Sequence, residues 1–235
     1  MSEKTRLNKF ISEAGVASRR AADKLIEERR VTINGRVAVV GDKVKEGDIV
    51  AVDGKRIEKE EEDILLVFNK PRGIICTSNP EDKDNVIDYI GYPKRIYSVG
   101  RLDKDSQGLL LMTNNGDLAN RIMRSRGEHE KEYVVTVDKP VTKAFIKGMS
   151  NGVPILEDRV TKKCFVEMTG ECEFRIILRQ GLNRQIRRMC EYFGYDVVKL
   201  ERVRIMNIEL GKLKEGRYRD ISKQEREELF RLLGL

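Results

Sequence analysis

The chain has 235 residues, 36% of them charged, and a formal net charge of +7. That length holds one mid-sized domain plus a small one, and the basic excess points to a polyanionic partner, nucleic acid before a membrane surface. No apolar run approaches the ~20 residues of a transmembrane helix, the opening residues carry no segment of signal-peptide character, and four separated cysteines with one histidine offer no metal cluster, so we expect a cytoplasmic protein with structural thiols, no membrane association and no metal.

Leu7, Phe10, Ile11 and Ala14 recur at helical spacing, with Thr5 placed to cap the start and Gly15 suited to a left-handed end. A second helix opens at Ser18, with Ala22, Leu25 and Ile26 on its apolar face and Arg19, Arg20, Lys24, Arg29 and Arg30 at other positions. β-Prone residues then gather around Asn34-Gly35 and Asp53-Gly54, two hairpin-type turns. The order predicts two short helices followed by a small sheet. Glu27 and Glu28 can neutralise Arg29 and Arg30, whereas Arg19, Arg20 and Lys24 cluster near the helix start as a basic face. The acidic run 58–63, broken by Lys59, cannot bury apolar surface. The domain boundary is placed there, giving units 1–60 and 61–235.

Ile64 to Phe68 reads as a buried strand ended by the turn Asn69-Lys70-Pro71-Arg72-Gly73. Residues 100–108, Gly-Arg-Leu-Asp-Lys-Asp-Ser-Gln-Gly, form a tight charged loop that feeds the apolar run Leu109 to Met112, and Asn115-Gly116 ends that run. Asp103 therefore sits where a rigid scaffold can present a reactive carboxylate. On local chemistry alone, a surface turn in which Asp103 bonds nearby backbone is the simpler reading.

Asp117 can cap a short helix containing Leu118, Ile122 and Met123, and 129–137 turns β-like. Taken by itself, Tyr133 is a core tyrosine whose hydroxyl finds a partner. Residues 142–150 read as a helix with Phe145, Ile146 and Met149 inward, and 160–166 and 172–179 as paired strands. A helix then places Ile186, Cys190 and Phe193 on one face and ends at Gly194. Arg184, Arg187 and Arg188 crowd its start, against the helix dipole, which implies carboxylate or phosphate partners. Residues 199–205 form a strand with alternating basic residues, and Ser222 to Glu225 is a capping box opening a last helix with Leu229, Phe230 and Leu233. Intermixed strands and short helices without a regular βαβ repeat predict an α+β fold with a largely antiparallel sheet.

Gly-Arg-Leu-Asp at 100–103, Ser-x-Gly-Leu-Leu from 106 and Thr-Asn-x-Gly-Asp from 113 resemble the catalytic-aspartate motif of RNA pseudouridine synthases, in the branch acting on ribosomal RNA. Asn-Lys-Pro-x-Gly at 69–73 is similar to that family's first motif, mostly scaffold, where Lys70 has a modest claim to touch RNA. Lys131-Glu132-Tyr133 resembles the Lys-x-Tyr motif, and Gly-x-x-x-Gln-Ile-Arg-Arg-Met at 181–189 the third motif. Residues 5–57 resemble an S4-type RNA-binding domain. The likeness covers nearly the whole chain and implies a synthase domain with a mixed central sheet crossed by a cleft.

The resemblance implies that Asp103 is catalytic, that Tyr133 is the active-site tyrosine, that Arg187 pairs with Asp103 and that Leu200 packs beneath the target base. It also implies that Arg6, Arg19, Arg20 and Lys24 face RNA phosphates, and that Arg101, Arg184 and Arg188 hold the distorted RNA backbone. Many relatives carry His where this chain has Arg184. With Leu182-Asn183 before it, that variant looks like the large-subunit synthase F subgroup. The implied substrate is therefore 23S ribosomal RNA, with transfer RNA as a second candidate, and the implied protein a monomer.

The implied reaction moves uracil from an N-glycosidic to a C-glycosidic bond on one ribose. Nothing is oxidised and no group is lost, so no cofactor is expected. A stacked uridine must be flipped out at a cost of a few kcal/mol, and Tyr133 could return ~1–3 kcal/mol by stacking on it. Asp103 acts either as nucleophile on the sugar or as a base that helps expel uracil. Two other readings are a nucleosidase with Asp105 as its second carboxylate, and a non-catalytic ribosome-binding protein with a degenerate synthase domain.

Overall fold

The computed structural model describes residues 4–60, 62–79, 81–123, 129–156 and 159–235. The chain forms two compact units. The first runs to Ile64 and takes in Tyr92–Ile96 and Asn114–Gly116; the second holds Leu65–Gly91, Tyr97–Thr113 and Asp117–Leu235.

The first unit contains β1 (Thr5–Arg6), α1 (Leu7–Glu13), α2 (Arg19–Glu27), β2 (Val31–Ile33), β3 (Arg36–Val37), β4 (Lys43–Val44), β5 (Val50–Val52) and β6 (Lys55–Ile57). Leu7, Ile11, Ala22 and Ile26 supply the buried helix faces and pack with Val31, Ile33, Val50 and Val52 of the sheet, which is ordered β3-β2-β5-β6. The expected Thr5 cap is not made. Thr5 pairs with Val44 as a strand residue, and the N-cap of α1 is Arg6, which offers no side-chain acceptor. Ser18 caps α2 as expected, accepting from the Ala21 N–H at 3.2 Å. Asn34 and Asp53 adopt φ of 50° and 49°, each followed by a glycine with positive φ, the geometry that two-residue hairpins need. The fork of Arg30 closes on Asp53 at 2.8 and 2.7 Å, so that cation is satisfied within the chain.

The acidic run is tethered. Lys94 reaches Glu60 at 2.8 Å and Glu62 at 2.9 Å, and Asn114 accepts from the Ile64 N–H at 2.9 Å while donating to the Glu62 carbonyl at 2.8 Å. These contacts explain why Tyr92–Ile96 and Asn114–Gly116 belong to this unit.

The second unit continues with β7 (Leu65–Lys70), α3 (Val86–Ile90), β8 (Tyr97–Val99), β9 (Gln107–Thr113), α4 (Gly116–Met123), β10 (Lys131–Val137), α5 (Lys143–Ser150), β11 (Pro154–Leu156), β12 (Arg159–Val160), β13 (Phe165–Gly170), β14 (Glu173–Leu178), α6 (Gln185–Tyr192), β15 (Val197–Ile205), β16 (Ile208–Glu209), β17 (Tyr218–Asp220) and α7 (Lys223–Leu233). Its main sheet runs β13-β14-β10-β15-β9-β7-β17, with β8 on β9 and β16 on β15. The pairs are antiparallel apart from β9 with β15, so the sheet is mixed and mostly antiparallel. β7 and β9 are buried at every position, as their unbroken apolar runs require.

Two apolar clusters flank this sheet. Val135, Phe145, Met149, Phe174, Ile176 and Met189 join α5 and α6 to β10 and β14. Val67, Leu109, Leu111, Leu118, Ile122 and Leu229 join α4 and α7 to β7 and β9. Each such side chain contributes roughly 1.5–3 kcal/mol by burial. The parallel seam has a specific requirement. Gly108 lies opposite Arg202 with φ +99°, and a Cβ there would stand 2.4 Å from the Arg202 carbonyl oxygen.

Two local expectations are corrected. The strand expected over 160–166 starts at Phe165, because Val160 instead belongs to β12, which pairs with β11 as a small ribbon. α4 begins at Gly116, so Asp117 lies in its first turn, where its charge suits the helix dipole. In the same helix Leu118 and Ile122 are buried and Met123 is 43% exposed. Thr142 caps α5, and Ser222 with Glu225 forms the expected capping box on α7. Among the described residues, no helix is long and apolar enough to cross a membrane.

Candidate active site

Asp103 lies in the loop between β8 and β9, and the Ser106 N–H donates to its carbonyl at 3.0 Å to close a turn. Lys70, the last residue of β7, sits under this turn with 0% exposure. Its ammonium donates to the carbonyls of Pro71 at 2.9 Å, Asp103 at 3.3 Å and Ser106 at 2.8 Å. A lysine ammonium has three donors, and all are used. Burial pulls the Lys70 pKa below the ordinary lysine value, and the carbonyls offset part of that cost. Lys70 therefore supports the loop from beneath and cannot touch RNA, contrary to the role weighed from its motif. The Gly73 N–H to Lys104 carbonyl bond at 2.8 Å and the Leu102 N–H to Cys76 Sγ contact at 3.4 Å hold the loop's other edge.

The arginines come from the start of α6. Arg184 is its N-cap, in left-handed backbone at φ 49°, ψ 34°, a conformation costing a bulky residue ~1–3 kcal/mol. Gln185 fixes this turn: it is 4% exposed and its Oε1 accepts from the Leu182 N–H at 3.1 Å. The result brings Arg184 Nη1 to 3.8 Å from Asp103 Oδ2 and 3.9 Å from Asp105 Oδ2. Arg187 crosses to the same loop by a different route. Its Nη2 donates to the Asp105 carbonyl at 3.0 Å and contacts Ser106 Oγ at 3.5 Å, while Nη1 donates to the Val197 carbonyl at 3.1 Å.

The expected Arg187–Asp103 ion pair is thus replaced. Among the described residues, the cation within 4 Å of the Asp103 carboxylate is Arg184; Arg187 instead binds loop backbone. Burial, and then the neighbouring Arg184 charge, pull the Arg187 pKa down, yet a guanidinium stays protonated. Arg188 donates to Asn183 Oδ1 at 3.2 Å.

A cavity of about 400 Å³ opens over this loop, within the ~300–1,000 Å³ typical of small-ligand sites. Asp103, Tyr133, Arg187, Leu200, Arg101 and Arg184 all line it, and Arg188 does not. The Asp103 side chain is 36% exposed, so it can meet an incoming group. Leu200 is buried and packs in the cluster that also holds Tyr133. Residues that sequence reasoning passed over also face the site. Lys131 stands two positions before Tyr133 on β10, hence on the same strand face, and Arg202 lies opposite Tyr133 on β15 with its Nε bonded to the Leu109 carbonyl at 2.7 Å. Lys131 could have been found as the first residue of the Lys-x-Tyr motif. Among the described residues, no group of three or more acidic, histidine or cysteine side chains could hold a metal ion.

Arg6, Arg19, Arg20 and Lys24 are exposed in the first unit. Lys24 lies 4.0 Å from Glu28; the three arginines make no ion pair among the described residues.

Known proteins resemble this chain in both units. The family described as RNA pseudouridylate synthase matches residues 64–192, and the S4 domain matches residues 5–50. The dual-specificity RNA pseudouridine synthase RluF of Escherichia coli (strain K12) is 55% identical over 230 residues, covering 97% of this chain and 79% of the relative. The ribosomal large subunit pseudouridine synthase B of Bacillus subtilis (strain 168) is 36% identical over 228 residues, covering 94% and 93%. A crystal structure of a pseudouridylate synthase shares 30% identity at a TM-score of 0.71, covering 96% of this chain and 99% of the other. With an S4 domain preceding a synthase domain whose cavity gathers Asp103, Tyr133 and the α6 arginines, the chain belongs to the RNA pseudouridylate synthase family.

Proposed function

We propose that this protein converts a uridine of large-subunit ribosomal RNA to pseudouridine, with Asp103 as the catalytic carboxylate. One observation carries the reading: a single cavity presents the Asp103 carboxylate, an aromatic ring at Tyr133, the apolar Leu200 and the guanidinium groups of Arg184 and Arg187. The target nucleotide enters extrahelically, since its C1′ is unreachable in a stack. Tyr133 stacks on the uracil and Leu200 packs beneath it. Arg184 neutralises Asp103, and Arg187 fixes the backbone on which Asp103 is carried. Asp103 attacks C1′ or takes the C2′ proton, and the C1′–N1 electron pair leaves with uracil. The base turns, and a C1′–C5 bond forms as the Asp103–C1′ bond breaks or, on the other route, as Asp103 returns its proton to C2′; the C5 proton then goes to water and N1 gains a proton. No electrons are gained or lost overall.

The names of the relatives support the choice of RNA: one is a ribosomal large subunit enzyme and another is termed dual-specificity. We take transfer RNA as the second substrate, the protein as a monomer and its compartment as the cytoplasm. Arg6, Arg19, Arg20 and Lys24 serve as phosphate contacts, and Arg101 and Arg188 hold the displaced backbone. The test is incubation with ribosomal RNA labelled with tritium at uridine C5. Release of tritium with uracil retained in the RNA is expected. Release of free uracil would identify a nucleosidase instead, and no release from any ribosomal or transfer RNA would refute the activity.

A further inference from the structure

Lys131 lines the Asp103 cavity, yet its ammonium has no hydrogen bond or ion pair among the described residues. The charges around it make this unusual. The acids flanking it in sequence are already engaged: Glu130 by Arg179 and Arg204, both at 3.1 Å, and Glu132 by Arg204 at 2.7 Å and Arg175 at 3.2 Å. The neighbour that Lys131 does feel is another cation, Arg202. Arg202 is 3% exposed and lines the same cavity; its Nε is bonded, but its Nη2 is buried without a partner. Burial and the Arg202 charge both pull the Lys131 pKa down. Two adjacent cations beneath a cavity, without a carboxylate between them, are expensive in the free protein. Such a cost is expected where a site is arranged for an anion that exists only during reaction.

We propose that Lys131, backed by Arg202, is a further catalytic residue that touches the flipped uracil and holds the negative charge it acquires as the C1′–N1 bond breaks. The inference rests on the isomerase reading given above. When that bond breaks, its electron pair goes to uracil, and the charge spreads over N1, O2 and O4. This is so whether Asp103 attacks C1′ or removes the C2′ proton. Lys131 shares a strand face with Tyr133, so a ring stacked on Tyr133 turns one edge toward the ammonium. Arg202, opposite Tyr133 in the β15 register, adds its field from beneath. The anion is consumed when C5 bonds to C1′; the C5 proton then leaves as N1 gains one, which returns the site to its starting charge.

The test compares wild type, Lys131→Met and Lys131→Arg in single-turnover reactions at saturating enzyme. Two RNAs of the same sequence are used, one with uridine and one with 5-fluorouridine at the target. Fluorine withdraws electrons and makes the departing base a more stable anion, so it needs less help from the protein. Loss of the starting nucleoside is followed by chromatography of nuclease digests. Lys131→Met is expected to slow the uridine reaction by about 10²–10³-fold, the scale of losing one preorganised donor to a developing anion. Its loss on 5-fluorouridine RNA should be smaller by about tenfold or more, and Lys131→Arg should recover most of the uridine rate. Thermal unfolding and RNA affinity are measured on each variant; if Lys131→Met does not fold, Lys131→Gln takes its place. Equal losses on the two RNAs, or a uridine rate within about threefold of wild type, would overturn the inference. Wild type that releases no C5 tritium would instead refute the isomerase reading itself.

Discussion

The Lys70 ammonium lies 2.8 Å from the Ser106 carbonyl, across 36 residues of sequence, beneath the turn that carries Asp103. The same nitrogen also holds the Asp103 carbonyl. The Asp103 carboxylate is thus positioned by its own backbone, clamped from below by Lys70 and from the side by Arg187.

Lys70→Met should damage both stability and rate. It leaves the carbonyls of Pro71, Asp103 and Ser106 without their shared donor. Each buried, unsatisfied acceptor costs ~1–3 kcal/mol, and an ångström of loop displacement can cost about 10²-fold in rate. Thermal unfolding and single-turnover rates measure the two effects separately. An unshifted melting temperature with full activity would show that the clamp is dispensable.

Arg187→Met should cost far more rate than Arg188→Met, by about tenfold or more. Arg187 binds the Asp105 carbonyl in the turn that carries Asp103, whereas Arg188 binds Asn183 and does not line the cavity. Rates at saturating enzyme give the comparison. Equal losses would mean that Arg187 acts only as general positive charge.

Part of this arrangement was legible in the sequence, and the division has a physical cause. Asn34-Gly35, Asp53-Gly54 and the Ser222–Glu225 box could be read because each is decided by residues a few positions apart. Asp103, Tyr133 and Leu200 were found through motif resemblance, and they do line one cavity. Lys70 was misjudged because its role depends on strand pairing that brings residue 106 over residue 70. The Arg184–Asp103 contact depends on the sign of one backbone angle, φ 49° at Arg184, which no periodicity reports. The strand expected at 160–166 was shifted because β-prone composition does not reveal where one ribbon ends and the next begins.

Acid stability should depend on Glu225. Its carboxylate accepts from Arg219 at 2.8 Å through both oxygens and closes the α7 capping box. Chiefly through Arg219, its pKa is held down at about 2, against an ordinary value of 4.5. The folded value lies below the unfolded one, so the stabilisation is complete above the ordinary carboxyl range and fades as pH falls toward about 2. Glu225→Gln should therefore be less stable than wild type at neutral pH by ~1–3 kcal/mol. That gap should narrow as pH falls through this window. Urea unfolding of both forms across pH 7 to 2.5 checks this; a gap independent of pH would show that the charge contributes nothing.

Replacing Arg19 and Arg20 together with alanine should weaken capture of structured RNA and flatten its salt dependence. Both are exposed, and neither makes an ion pair among the described residues. Each lost phosphate contact should reduce the slope of log affinity against log salt by ~0.7–0.9. A binding titration over a range of salt concentrations gives the slope. An unchanged slope would show that this helix start does not meet phosphate.

The central claim is that the Asp103 carboxylate performs the isomerisation, and Asp103→Asn tests it most directly. The amide keeps the side chain's shape and removes its charge, so it can neither attack C1′ nor take a proton. Tritium release from C5-labelled ribosomal RNA, measured at saturating enzyme, is expected to fall below about 1% of wild type, a loss of nearly 3 kcal/mol or more in transition-state stabilisation. RNA affinity should hold within about threefold, because removing a negative charge does not weaken binding to an anion. Turnover by the Asn variant at a substantial fraction of the wild-type rate would contradict the assignment of Asp103.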